Sequence, residues 1–265
     1  VPLLLAALPR SENRDGAKII VALGQLNDES AIGPVLDKLG AKDERVDEAV
    51  AYTLGQFKHT AVAPLLTKAA TTTDLAALAV LVDALGLTQD PEVAPAVVPY
   101  LAVEPLRRHA CRALTAVGKP AAPAVCAAYP ESGRPAWAAL LLASCGDARA
   151  GAALSGEAWN AAFEDARTHE EMLPTVIAAA ACAEPTVSSH AVLALCRTYI
   201  DRGQMRNVPQ LIALLEGFGG TALAEEFLNC GQPDLEAAAR HWCEVRGLEL
   251  SSGDASRHYP MWGGR

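Results

Sequence analysis

The chain has 265 residues, of which 51% are hydrophobic and only 5% aromatic, and its formal net charge is −9. That length allows a large core and exceeds the usual single-core domain unless the molecule is elongated. The acidic balance argues against nucleic-acid phosphate or an anionic membrane as partner, and no stretch approaches the ~20 apolar residues of a membrane span.

The first predicted element, "VPLLLAALP", lacks the basic flank and cleavage motif of a signal peptide. Led by Pro2, it reads as the second helix of a pair whose first helix is missing. The expectation that follows is a chain that is a fragment or has lost an N-terminal part. Next, "VALGQLNDESAIGPVLDKLG" holds two apolar runs of helical spacing around a polar corner and Pro34. Leu23-Gly24, Leu54-Gly55 and Leu85-Gly86 recur at steps of 31 residues, and Leu114-Thr115 follows about one period later. Pro2, Pro34, Pro64, Pro95 and Pro123 keep a similar beat. A period in this range marks a solenoid of stacked supersecondary units.

Each unit reads as two helices. The first ends at the Leu-Gly pair, where glycine either lets neighbouring backbones approach or begins a C-terminal cap. A polar corner follows, with Asp90 before Pro91 as an expected N-cap. The second helix carries its proline in the first turn, where an amide N–H has no intrahelical acceptor and its loss costs little. In the opening unit Ile32, Val35, Leu36 and Leu39 form the core face. Leu54 and Leu85 are expected at equivalent core positions, as are Leu36 and Leu66.

"DERVDEAVAYTLGQFKHTAVAPLLTKA" resembles the bacterial HEAT-like repeat, the type also found in phycobilisome-lyase-like proteins, from about residue 1 to 130. The resemblance implies an all-α, right-handed α-solenoid of HEAT-like helix pairs, about seven at this period. It also implies that second helices line the concave side.

Past residue 150 the beat fades while helices continue. "SGEAWNAAFEDARTHEEM" carries an apolar stripe at Ala158, Ala162 and Phe163, and "MLPTVIAAAACA" is a proline-led second helix. Two further pairs follow, and the charged "QPDLEAAARHWCEVRGLEL" suits a cap. The predicted organisation is HEAT-like repeats over 1–150, divergent repeats and a cap over 151–250, and a tail over 251–265. That tail places Tyr259, Met261 and Trp262 behind a flexible polar stretch, and is expected to dock on a partner or on the chain itself.

Chemistry is sparse. Seven scattered cysteines without a C-x-x-C pair read as reduced thiols of a cytoplasmic protein. His109 with Cys111, and His241 with Cys243, lie two apart and point apart on a helix. Cys182, His190 and Cys196 match no zinc spacing, and no nucleotide-binding, metalloprotease or nucleophile-elbow motif is present. No catalytic residue, metal or cofactor is assigned. The carboxylates Asp43, Glu44, Asp47 and Glu48 at one helix start are explained by the helix dipole. Arg108 and Arg112 share a face that suits a carboxylate or phosphate, although charges facing the next repeat are the plainer explanation. Counting past each repeat proline puts Asp37, Lys38, Thr67, Lys68 and Val98 along one second-helix surface.

The resulting expectation is a non-enzymatic scaffold or adaptor. It would bind a peptide or helix of another protein through these residues, Arg108, Arg112, Tyr259 and Trp262, without nucleic acid or membrane. The alternative is a lyase-like HEAT enzyme or accessory acting on a pigment or cofactor carrier, which needs a pocket around Trp137, Trp159 or the cysteines.

Overall fold

The computed structural model describes residues 1–11, 13–40, 43–130, 132–152, 154–183 and 189–249. Every regular element among them is helical, and the chain divides into two compact units, Val1–Asp147 and Ala148–Arg265.

In the N-terminal unit the first helices are α2 (Asn13–Leu26), α4 (Glu44–Gln56), α6 (Leu75–Thr88), α8 (Arg107–Val117) and α10 (Ala136–Ser144). The second helices are α1 (Pro2–Ala7), α3 (Ile32–Leu36), α5 (His59–Thr71), α7 (Ala94–Val97) and α9 (Ala122–Ala128). From α2 to α8, each first helix packs on the next. Leu23, Leu54, Leu85 and Leu114 all sit at 0% exposure, so the sequence repeat is a core repeat. Leu36 is buried as well, whereas its counterpart Leu66 is half-buried.

The glycines of the Leu-Gly pairs serve close approach. A Cβ on Gly24 would meet the Thr53 side chain at 2.9 Å. On Gly55 it would meet the Leu87 Cβ at 2.4 Å, and on Gly86 the Ala113 Cα at 2.5 Å. All three lie inside their helices and not at a left-handed cap. Where Thr115 replaces the glycine, its hydroxyl lies 2.9 Å from the Ser144 Oγ of α10, so a hydrogen bond fills the gap.

The corner between paired helices is a 3-10 turn. Asp28 caps the turn at Glu29–Ala31, and Asp90 caps that at Pro91–Val93 by accepting the Glu92 N–H at 2.9 Å. An α-helix then starts, with Pro95 and Pro123 within its first two positions and Pro34 third. Pro64 differs: α5 runs unbroken from His59, so this proline is interior.

The C-terminal unit comprises α11 (Ala148–Ala152), α12 (Gly156–Thr168), α13 (Leu173–Ala183), α14 (Ser189–Arg202), α15 (Val208–Phe218), α16 (Thr221–Leu228) and α17 (Pro233–Arg246). The same corner recurs here, with 3-10 turns at Glu170–Met172 and Met205–Asn207 leading into α13 and α15. The repeat geometry thus outlasts the repeat sequence. The core stripe of α12 is Trp159, Phe163 and Ala166, and not the expected Ala158 and Ala162, which are half-buried. Large aromatics, with Tyr199 and Phe227, do the filling that leucine does in the first unit.

Candidate functional site

The first helices α4, α6 and α8 of the N-terminal unit each bring one stripe to a common surface. On α4 this is Glu44, Asp47, Glu48, Ala51 and Tyr52, at the spacing of one helical face. On α6 it is Val80, Asp83, Gly86 and Leu87, and on α8 His109, Arg112, Ala113 and Ala116. Together they line a cavity of ≈ 590 Å³, within the range that holds small ligands or side chains. A second cavity of ≈ 680 Å³ reaches α2 and is lined by Gly24, Gln25, Asn27, Gln56, Lys58 and Gln89. Tyr52 and Leu87 belong to both cavities and are 51% and 44% exposed. The two cavities therefore form one groove across four first helices, with an apolar ridge in the middle.

The groove's electrostatics are built across helices. Asp83 is only 15% exposed and pairs with Arg112 of α8, while its Oδ2 lies 3.0 Å from the His109 Nδ1. Opposite, α4 brings three carboxylates. Burial pushes the Asp47 carboxyl above the ordinary aspartate range, against the Gly40 amide, which draws it down. Its Oδ1 is buried with no hydrogen-bond partner among the described residues.

The residues expected from sequence fall elsewhere, with one exception. Arg112 lines the groove, and Arg108 does not. Lys38 is spent internally, its Nζ donating to the Ser11 carbonyl at 3.0 Å and the Pro9 carbonyl at 3.4 Å. Asp37, the C-cap just past α3, and Thr67 of α5 are exposed, and Lys68 of α5 is half-buried. Val98 must be corrected: at 9% exposure it packs into the core, because it opens a 3-10 turn whose far side faces solvent. Tyr259 and Trp262 lie outside the described residues. Sequence reasoning missed Tyr52, Leu87 and Asp83. Tyr52 did carry a signal, as an aromatic one turn past the acidic cluster on the same face.

Two other chemical settings resolve structurally. His59, Asp90 and Glu92 bring possible ligand atoms within 4.8 Å of one another. Both Asp90 oxygens are already engaged, one by the Glu92 amide and one by the His59 Nδ1 at 2.6 Å. The pairing raises the His59 pKa, and the Glu92 amide, with His59 second, lowers that of Asp90. All seven cysteines are free. Burial pushes Cys145 and Cys230 up to about 11, opposite to the direction a nucleophilic thiolate needs. Cys182 is half-buried, Cys196 is in the core and His190 is exposed.

Compared with known proteins, residues 1–85 match the family model of HEAT repeats. The match does not support the phycobilisome-lyase type specifically. No curated protein and no solved structure matches the chain significantly. Among the described residues, no helix is long and apolar enough to cross a membrane.

Proposed function

We propose that this chain is a non-enzymatic protein-binding module that holds its partner against the first-helix face of the N-terminal unit. The observation that carries this reading is the groove, with Tyr52 and Leu87 half-exposed between its two cavities. Large side chains left in water beside concave surface are the usual anchors of an interface. HEAT repeats typically mediate protein binding, which supports the same reading. The partner face moves from the second helices expected by resemblance to the first, because the cavities with exposed apolar anchors lie there.

A lyase-like accessory role asks for a pocket around Trp137, Trp159 or the cysteines, and no cysteine lines the cavities above. Trp159 is in the core, and Trp137 is held edge-on by Tyr129 and faced by Arg107. Neither tryptophan lines the cavities above, so this reading has less support.

A photo-crosslinking residue in place of Tyr52, compared with one in place of the second-helix Thr67, tests the proposal. A covalent adduct formed at 52 and not at 67 is expected. The adduct's protein should bind the purified chain, and Tyr52→Ser with Leu87→Ser should weaken it about tenfold or more. Adducts only at 67, or binding that ignores the double variant, would overturn the groove as the binding face.

A further inference from the structure

We infer that the second cavity of the groove, between α2, α4 and α6, holds a proline-rich segment of the partner in the polyproline II conformation. This rests on the reading of the groove as a protein-binding surface and names the class of segment it selects.

Four primary amides line this cavity, those of Gln25, Asn27, Gln56 and Gln89, and no carboxylate is among its described lining residues. Its cation, Lys58, is spent on the Leu87 carbonyl at 3.2 Å. None of the four amide side chains bonds to another described residue, so each keeps donors and an acceptor for a ligand. They recur with the fold. Gln25 and Gln56 stand one step of 31 residues apart, and Leu87 one step further. Asn27, Lys58 and Gln89 repeat in the same way, all with positive φ. Gly118, at the equivalent corner of a repeat that does not line the cavity, shows which residue such a backbone favours. Side chains kept at strained corners, where glycine is easier, mark a place where the side chain has a use.

Spacing selects the conformation of the bound segment. Packed helices stand about 8–10 Å apart, so the repeated positions of α2, α4 and α6 recur at about that step across the groove. A polyproline II helix repeats every three residues, at about 3.1 Å each, or about 9.3 Å in all. Equivalent groups of a β-strand recur every two residues, at about 6.6 Å, and fall out of register. An α-helix spends its carbonyls on itself and would leave the amides unpaired. Polyproline II makes no internal hydrogen bond, so its carbonyls are open to the amide N–H donors. A proline in it has no N–H to leave unsatisfied. Beside the amides stand Tyr52 and Leu87, half-exposed, an aromatic and aliphatic surface of the kind on which proline rings pack.

A displayed library of short random peptides, panned against the full chain, tests this without knowledge of the natural partner. Selected peptides that lose binding to Tyr52→Ser with Leu87→Ser should carry prolines three residues apart and give the circular-dichroism signature of polyproline II. Gln25→Leu with Gln56→Leu keeps the size of both side chains and removes their amides. It should weaken the best peptide about tenfold or more. The melting temperature should stay unchanged, because neither amide is bonded within the described chain. Binding should change little with added salt, since the contacts are neutral. Groove-dependent peptides that are helical, lack proline or ignore the amide variant would overturn the inference and leave the binding groove standing. A steep loss of binding with salt would do the same, by making charge the selector. Peptides that ignore Tyr52→Ser with Leu87→Ser, or none selected, would remove both. Self-association of the chain that disappears in Tyr52→Ser with Leu87→Ser would make a second copy the occupant and overturn the inference.

Discussion

Lys58 and Gly118 hold nearly the same backbone conformation at equivalent corners of two repeats, φ 53° and ψ −132° against φ 74° and ψ −142°. Glycine enters this region freely and a residue with a Cβ does not. Asn27 and Gln89 share the positive φ, at steps of 31 residues on either side of Lys58. All three line the second cavity of the groove. Strain of this kind costs ~1–3 kcal/mol, and glycine's greater chain entropy offsets part of the relief. Lys58→Gly should therefore raise stability by about 1 kcal/mol in urea melts of the full chain. Lys58→Val should lower it, since a β-branched residue tolerates positive φ least. A less stable glycine variant would mean that the Lys58 Nζ bond to the Leu87 carbonyl, at 3.2 Å, outweighs the backbone strain.

Gly86→Ala should be the most damaging of the helix-glycine changes. Its new methyl would lie 2.5 Å from a backbone atom, the Ala113 Cα, so α6 and α8 must separate. The expected cost is about 2–3 kcal/mol, as for other overpacked contacts. The separation would also widen the groove, because both residues line it. Gly33→Ala in α3 is the control, with open space around the added methyl. It should be neutral or stabilising by up to ~1 kcal/mol from helix propensity. Equal effects from the two would refute close approach as the reason for the Leu-Gly pair.

The C-terminal unit ties its repeats differently. The Tyr199 hydroxyl on α14 donates to the Ala166 carbonyl of α12 at 2.6 Å, buried, and Arg202 donates to the Arg167 carbonyl at 3.0 Å. Both carbonyls lie in the last turn of α12 and lack an intrahelical partner. In the first unit the buried Thr53 hydroxyl donates to the Ile20 carbonyl at 3.1 Å, but Ile20 sits mid-helix, where its carbonyl is already bonded. Tyr199→Phe should thus cost about 2 kcal/mol and Thr53→Val about half of that, because only the first leaves a buried acceptor orphaned. The order of the two, in denaturant melts, is the diagnostic quantity.

The fold was legible wherever packing repeats in the sequence. Leu54, Leu85 and the glycines beside them carry the first unit, and they announce it because close approach admits only glycine while the core admits leucine. The second unit was legible as helices but not as repeats. Trp159, Phe163 and Tyr199 fill space of different shapes, so no residue type recurs on a beat even though the 3-10 corners do. The groove was less legible. Glu44 and Asp47 had a sufficient local explanation in the helix dipole, and only the structure shows that the same face continues through Tyr52 to Asp83 and Arg112 of the following repeats. Val98 erred in the opposite sense, because counting along an ideal helix fails where the chain tightens into a 3-10 turn.

Asp47, in the lining of the groove, makes the stability of the N-terminal unit depend on pH. Its carboxyl titrates above the ordinary value, with burial as the largest cause and the nearby Asp43 and Asp74 adding to it. A carboxyl whose pKa is raised by folding favours the folded state while protonated, below the unfolded-chain value of 3.8. That contribution is lost as pH rises through the higher folded value, so at neutral pH the ionised Asp47 opposes folding. Asp47→Asn removes the titration. Its melting temperature should match that of the unaltered chain near the foot of the carboxylate range, exceed it increasingly through that range, and hold a constant lead at neutral pH. Added salt should narrow the lead only partly, since solvent ions screen a half-buried charge incompletely. A lead that does not change with pH would attribute the gain to side-chain packing and not to ionisation.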